Sequence, residues 1–226
     1  MSYILCIETA TTNCSVSLGF GEKLLEVKEL NSKNYSHAEQ LHPFIHSLLS
    51  NHGITVKKLS AVAVSEGPGS YTGLRIGVSA AKGIAYAAEI PLIATSTLQS
   101  LALQVKPKST SDLIVPMLDA RRMEVYTQSF ASDYKAITSV EAKILDVHSF
   151  STEANKRHIH FIGDGVEKFA EISSLTNNVS FVTQKLPSAR EQFQLARQKF
   201  LAKNFEDTAY FVPYYLKDFV VGKPKQ

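Results

Sequence analysis

Glu66-Gly67-Pro68-Gly69-Ser70-Tyr71-Thr72-Gly73-Leu74-Arg75-Ile76-Gly77 joins two apolar segments. Leu59 to Ser65, before it, reads as a strand, and Leu74 to Ala88, after it, as a helix. A Gly-rich turn at such a junction is where α/β proteins bring backbone close to a ligand or to another chain. The run departs from the common motifs. A P-loop needs Gly-Lys-Ser/Thr after its spacer, and no such Lys is present. A dinucleotide turn needs G-x-G-x-x-G, and one residue too many precedes Gly73. A nucleophile elbow needs G-x-S-x-G, and Gly69 directly precedes Ser70. A helix start explains the local chemistry: Pro68 stiffens the turn, Gly69 permits positive φ, and Ser70 or Thr72 supplies a cap oxygen.

Working outward, the first half reads as strands at Tyr3 to Thr9, Cys14 to Phe20 and Lys23 to Glu29, then a helix at Ser36 to His52. Leu41, Phe44, Ile45, Leu48 and Leu49 recur on one face of that helix. The Leu59 strand, the Leu74 helix, a strand at Pro91 to Ala94 and a helix at Ser96 to Val105 follow. The polar, Pro-containing stretch Lys106 to Ser111 marks a boundary. Beyond it, Leu113 to Leu118, Glu124 to Ala131 and Ile137 to Leu145 read as strands. Val147 to Lys156 reads as a helix, His158 to Ile162 as a strand, Val166 to Ser174 as a helix, Val179 to Thr183 as a strand and Ser188 to Asn204 as a long helix. Both halves read βββαβαβα. This predicts an α/β chain of two ribonuclease-H-like domains, 1–106 and 107–206, with a tail at 207–226 packing back on the first. Two such halves in one chain are the arrangement of the actin-like kinase (ASKHA) superfamily, an analogy of fold and not of function.

Composition sets limits. The chain has 226 residues, 44% of them hydrophobic and 20% charged, enough to bury a sizeable core. A net charge of +3 is too balanced for a dedicated nucleic-acid groove. No apolar run reaches the roughly 18 residues of a membrane span, and the N-terminus lacks a basic leader, so a cytoplasmic location is expected. Cys6 and Cys14 read as buried thiols rather than a disulfide.

Catalytic candidates are sparse. His42 and His46 share a helix face, but Pro43 stands where a zincin has Glu, so surface histidines and no metal are expected. The turns Glu8 to Asn13 and Asp119-Ala120-Arg121 match those that flank nucleotide in actin-like folds. Glu8, Thr9, Thr11, Asp119, Gly163 and Gly165 form a weak nucleotide set without a lysine in the first turn. The same residues also suit plain turns and caps. Gly73, Gly77, Ala80, Ala81, Gly83, Ala85, Ala87 and Ala88 make the second helix rich in small residues. Gly in a helix costs roughly 1 kcal/mol relative to Ala, so a close neighbour is implied, inside the domain or on another chain.

Ile7-Glu8-Thr9-Ala10-Thr11, the run Gly67 to Gly77, Ser36 to Pro43, Ala94 to Leu98, Leu118-Asp119-Ala120-Arg121 and Pro213 to Leu216 resemble the bacterial TsaB family. The family motif falls on Gly67, Pro68, Gly69, Ser70, Tyr71, Thr72, Gly73, Arg75, Gly77, Asp119 and Arg121. The resemblance implies a non-catalytic scaffold that pairs with a catalytic paralogue, TsaD, which transfers a threonylcarbamoyl group to the adenosine 3′ of the anticodon. It also implies an ATPase partner, TsaE, tRNA engaged through the complex, and a homodimer when alone. No cofactor is held tightly, which leaves ATP or ADP at a shared interface. The paralogue's metal motif H-x-E-G-H aligns with Thr97-Leu98-Gln99-Ser100-Leu101, which lacks both imidazoles. The partner surface is expected on the first two helices, among His37, Leu41, Phe44, Ile45, Leu48, Leu74, Ile76, Val78, Ser79, Lys82 and Tyr86. The rival readings are a small-molecule kinase or glycoprotease-like hydrolase of the superfamily, and a homodimeric binding module.

Overall fold

The computed structural model describes residues 2–32 and 36–217. Lys223 and Lys225, the tail's last basic residues, lie outside the described residues. The first half folds as β1 (Tyr3–Glu8), β2 (Asn13–Phe20), β3 (Lys23–Asn31), α1 (His37–Asn51), β4 (Leu59–Gly67), α2 (Tyr71–Ala88), β5 (Leu92–Ser96) and α3 (Thr97–Ala102). Its sheet has the order β3-β2-β1-β4-β5, with β1, β2 and β3 antiparallel and β4 and β5 parallel to β1. The second half supplies β6 (Leu113–Asp119), β7 (Glu124–Thr127), β8 (Phe130–Ala131), β9 (Glu141–Ile144), α4 (Ser151–Ala154), β10 (Ile159–Gly163), α5 (Val166–Ile172), β11 (Val179–Thr183) and α6 (Ala189–Leu201). Read from its other edge, the sheet runs β9-β7-β6-β10-β11, the same order, with β8 pairing β6. The actin-like double fold is therefore present in the strand order itself.

Each sheet is closed by a helix from across the boundary. On one face of the first sheet, Leu5, Ile7, Val62 and Val64 pack with the apolar sides of α1 and α2. On the other, Ile4, Cys6, Ala63 and Ile93 meet Ala189, Phe193 and Ala196 of α6. The helix that ends the second half thus covers the first sheet. Gly19 admits it, since a Cβ there would lie 2.0 Å from the Phe193 ring. Gln192 is fully buried and donates to Ile7 O at 3.1 Å and Thr95 Oγ1 at 2.9 Å, which fixes its rotation. Conversely α3 buries Leu98, Leu101 and Ala102 against Ile114, Leu118 and Ile162 of the second sheet. Cys6 and Cys14 are free and buried on opposite faces of the first sheet, where burial pushes their thiols up to about 12 and about 11.

Several elements are shorter than the sequence suggests. The strand expected through Ala131 breaks at Gln128–Ser129, where Thr138 Oγ1 accepts the Ser129 N–H and Gln128 Nε2 donates to Thr138 O. Side chains there take over backbone groups that a ladder would use. The helix expected from Val147 is replaced by an Asx turn, Asp146 Oδ1 accepting from His148 N, and by Phe150 at φ 64°. Only Ser151–Ala154 is helical. Pro43, by contrast, sits inside α1 without ending it.

The Gly-rich run places α2. Ser70 Oγ caps it by accepting from Gly73 N at 3.3 Å. A Cβ on Gly73 would lie 2.1 Å from Thr9 O, and one on Gly77 would lie 2.3 Å from Thr9 Oγ1. Both glycines therefore let the helix lie against the first hairpin turn. At Gly83 a Cβ would meet nothing within 4 Å. Gly73→Ala should lower stability by about 1–3 kcal/mol because rigid backbone must shift. Gly83→Ala should hold or raise it by up to about 1 kcal/mol. Urea denaturation of the two variants checks this; equal effects would show that Gly73 does not sense Thr9.

Candidate functional site

Between α1 and α2 the surface opens into a groove of about 810 Å³. Ala38 and His42 of α1 line it, with Ile76, Ser79, Ala80, Gly83, Ile84 and Ala87 of α2, and Val56, Lys57 and Arg75 complete it. Small residues along α2 leave the helix axis open to approach. Gly83 is exposed and its missing Cβ serves no contact within the chain.

This geometry sorts the expected partner residues. Leu41 and Leu48 are 0% exposed and His37 and Leu74 1%, and Ile45 and Val78 are also buried. Leu41, Ile45, Leu48 and Val78 pack on the sheet and Leu74 lies beside Gly67 of β4, because the apolar stripe of a helix goes to its own core first. His37 instead ties α1 to the first turn, its Nε2 lying 2.7 Å from Thr11 O. Phe44 is half-buried against the same core. Ile76 and Ser79 do line the groove. Lys82 points away from it, donating to Ala209 O and Phe211 O of the tail at 3.0 Å each. Tyr86 is 82% exposed. Gly83 and Ala87, two of the small residues that imply a close neighbour, line the groove at the i, i+3, i+7 spacing they share with Ala80, whereas Ala38, His42, Lys57 and Ile84 carry no such signal in the sequence.

Arg75 sits at the groove and at the tail together. Its guanidinium carbon lies 4.1 Å from the Tyr71 ring centre, and its Nε donates to Tyr215 OH at 3.2 Å. Tyr71 and Tyr215 are 4.8 Å apart. The tail is held further by Tyr214 N donating to Glu66 O at 2.7 Å, and Lys217 pairs with Glu124 of the second sheet.

A second concavity, about 470 Å³, lies between the two sheets. Thr11, the run Pro68 to Thr72, Asp119, Arg121, Asp164 and Tyr214 to Lys217 line it. The Gly-rich turn closes on the first hairpin turn: Ser70 N donates to Ala10 O at 2.7 Å, and a Cβ on Gly69 would lie 2.4 Å from that oxygen. Several backbone donors of the two turns are used internally. Ala10 N goes to Glu8 Oε1 at 2.7 Å, Asn13 N to Thr11 Oγ1 at 3.3 Å, and Gly73 N to Ser70 Oγ. Of the expected nucleotide set, only Thr11 and Asp119 reach the cleft. Thr9 is buried and donates to Gly73 O at 2.8 Å. Gly163 and Gly165 instead make room for Met117 O and the Val125 side chain. Asp119 accepts from Arg121 N at 3.0 Å and pairs with Lys168. Asp164 accepts from Asp119 N at 2.9 Å, and burial holds its carboxyl above the usual range.

At the start of α3, Thr97, Leu98 and Leu101 are fully buried. Among the described residues, no three His, Cys, Asp or Glu side chains cluster as metal ligands would. No helix among them is long and apolar enough to cross a membrane.

Comparison with known proteins identifies the family and the fold. The family described as TsaD, tRNA N6-adenosine threonylcarbamoyltransferase, matches residues 29–223. The tRNA threonylcarbamoyladenosine biosynthesis protein TsaB of Haemophilus influenzae is 25% identical over 97% of this chain and 95% of its own length. That of Buchnera aphidicola subsp. Schizaphis graminum is 30% identical over 76% of this chain and 83% of its own. The solved structure of YeaZ from Pseudomonas aeruginosa shares the fold at TM-score 0.83 and 24% identity, covering 96% of this chain and all of that one. The chain belongs to the TsaB family of tRNA threonylcarbamoyladenosine biosynthesis proteins, and the kinase alternative falls away.

Glu8 provides a test of the closed turn. It is fully buried, accepts from Ala10 N and from Ser65 Oγ at 2.8 Å, and its Oε2 has no partner. Burial raises its pKa from 4.5 to about 7. Between those values the folded state holds a proton that the unfolded chain releases, so stability falls as pH rises through this window. Glu8→Gln should flatten that fall and be the more stable protein at pH 8, by up to about 3 kcal/mol. Denaturation midpoints measured across the window check it; parallel profiles would show that Glu8 does not titrate there.

Proposed function

We propose that this chain is the non-catalytic docking subunit of the tRNA N6-threonylcarbamoyladenosine transferase complex. In this reading the α1–α2 groove receives the corresponding helices of the catalytic paralogue, TsaD. The observation that carries it is Gly83: a helix glycine with no neighbour within 4 Å, in the wall of an open apolar groove. Such a residue lowers helix stability without an intramolecular return, which fits a backbone approaching from another chain. The start of α3 supports a non-catalytic role, since the hydroxyl of Thr97 and the apolar Leu101 cannot serve as imidazole ligands.

The complex would bring in a TsaE-type ATPase and tRNA. With several of its turn amides used internally and no lysine in the first turn, this chain would hold no nucleotide tightly by itself, and ATP or ADP would sit at a shared interface. Without its partner the same groove would close on a second copy about a two-fold axis.

An omission assay tests the role. Unmodified tRNA, threonine, bicarbonate and ATP are incubated with the adenylate-forming enzyme, TsaD and TsaE, with and without this chain, and digested nucleosides are read by mass spectrometry. Product should require both this chain and TsaD. Ser79→Arg, which fills the groove from an exposed position, should cut product and pairing at least about tenfold with unchanged thermal stability. Gly77 is unsuitable for this purpose because it faces Thr9. Product formed equally well without this chain would overturn the proposal.

A further inference from the structure

The charged residues that line the α1–α2 groove are of one sign. Lys57 and Arg75 line it together with His42, and no Asp or Glu does. Both cations are exposed, and among the described residues neither pairs with a carboxylate. Glu39 and Glu89, which follow the lining residues Ala38 and Ala88 in sequence, are exposed and do not themselves line the groove, nor does Glu66. Arg75 is also ordered in advance, its face on Tyr71 and its Nε on Tyr215 OH, so holding it costs a partner little further side-chain entropy.

We propose, resting on the docking role above, that the groove selects a helix face on which carboxylates flank small residues, and thereby favours the catalytic paralogue over a second copy of this chain. An apolar floor with unpaired cations at its margin is complementary to an apolar stripe edged by Asp or Glu. A self-complementary pairing would instead bring two sets of Lys57 and Arg75 into one interface, with no groove carboxylate to meet them. The same cations that attract the paralogue therefore oppose self-association, which is how specificity arises between surfaces of similar shape.

The test is the sign of the salt dependence. Self-association of the full chain and its pairing with TsaD are measured by analytical ultracentrifugation and calorimetry at low and high salt, about 0.05 and 0.5 M, which shortens the screening length severalfold. Pairing with TsaD should weaken with salt and self-association should strengthen. Lys57→Glu and Arg75→Glu should each weaken the heterologous pairing by about tenfold or more, equivalent to about 1.4 kcal/mol. Each should leave self-association unchanged or tighter. Lys57→Glu guards against loss of the Tyr71–Tyr215 packing in the Arg75 variant. If Ser79→Arg blocks pairing while salt and both charge reversals leave it unchanged, the groove is the docking site but charge does not select its occupant, and the inference is overturned. If Ser79→Arg also pairs normally, the docking role itself fails and the inference falls with it.

Discussion

The contact between the Gly-rich turn and the first hairpin turn governs the rest of the molecule. Thr9 and Ala10 lie where side chains at Gly69, Gly73 and Gly77 would otherwise stand. Without Cβ atoms at those positions, the start of α2 lies directly on β1's exit, and hydrogen bonds from Ser70 N to Ala10 O and from Thr9 Oγ1 to Gly73 O hold it there. A close approach of backbone on backbone has little freedom to relax, because interiors are packed at near-crystalline density. The axis of α2 is thereby fixed, and with it the width of the groove that α2 forms with α1.

That contact also changes what the interdomain cleft can do. In a doubly built fold of this kind the first turn and its counterpart in the second half face each other across a shared space. Here the Gly-rich turn takes up Ala10 O and the Thr9 hydroxyl, and Glu8 is buried beneath the first turn with its carboxyl raised to about 7. On the opposite side the Asp119 N–H donates to Asp164 and Lys168 donates to the Asp119 carboxylate. Where turn groups are already paired, a ligand must compete with existing bonds. The groove differs in kind: it is apolar, lined by small residues, and its cations have no carboxylate partners among the described residues.

The tail and the exchanged helices make the chain one unit. With α6 on the first sheet and α3 on the second, neither half keeps its own last helix. The tail then crosses α2, is held by Lys82 and Arg75, and reaches Glu124 through Lys217. Arg75 belongs to both tail and groove, so the groove is ordered partly by residues more than a hundred positions away in sequence.

The order of strands and helices was legible in the amino-acid sequence, because alternation and helical periodicity are local and the pattern repeats. So were the cap at Ser70, the family motif and the lack of paired imidazoles near Thr97. Weak segments were not: the strand across Gln128 and the helix from Val147 were lost to side chains that captured backbone hydrogen bonds. The candidate site was half legible. The stripe of α1 at Leu41, Ile45 and Leu48 and of α2 at Leu74 and Val78 marks an apolar face, but apolarity alone does not say whether the face meets its own sheet or another chain. Three-dimensional packing decided that, burying those residues and leaving Ser79, Gly83, Lys57 and Arg75 open. It also separated glycines of one composition into two roles, Gly73 and Gly77 pressed against Thr9 and Gly83 facing empty space. Sequence determines which residue types recur and at what spacing; which atoms stand across from them depends on chain segments brought together only by folding.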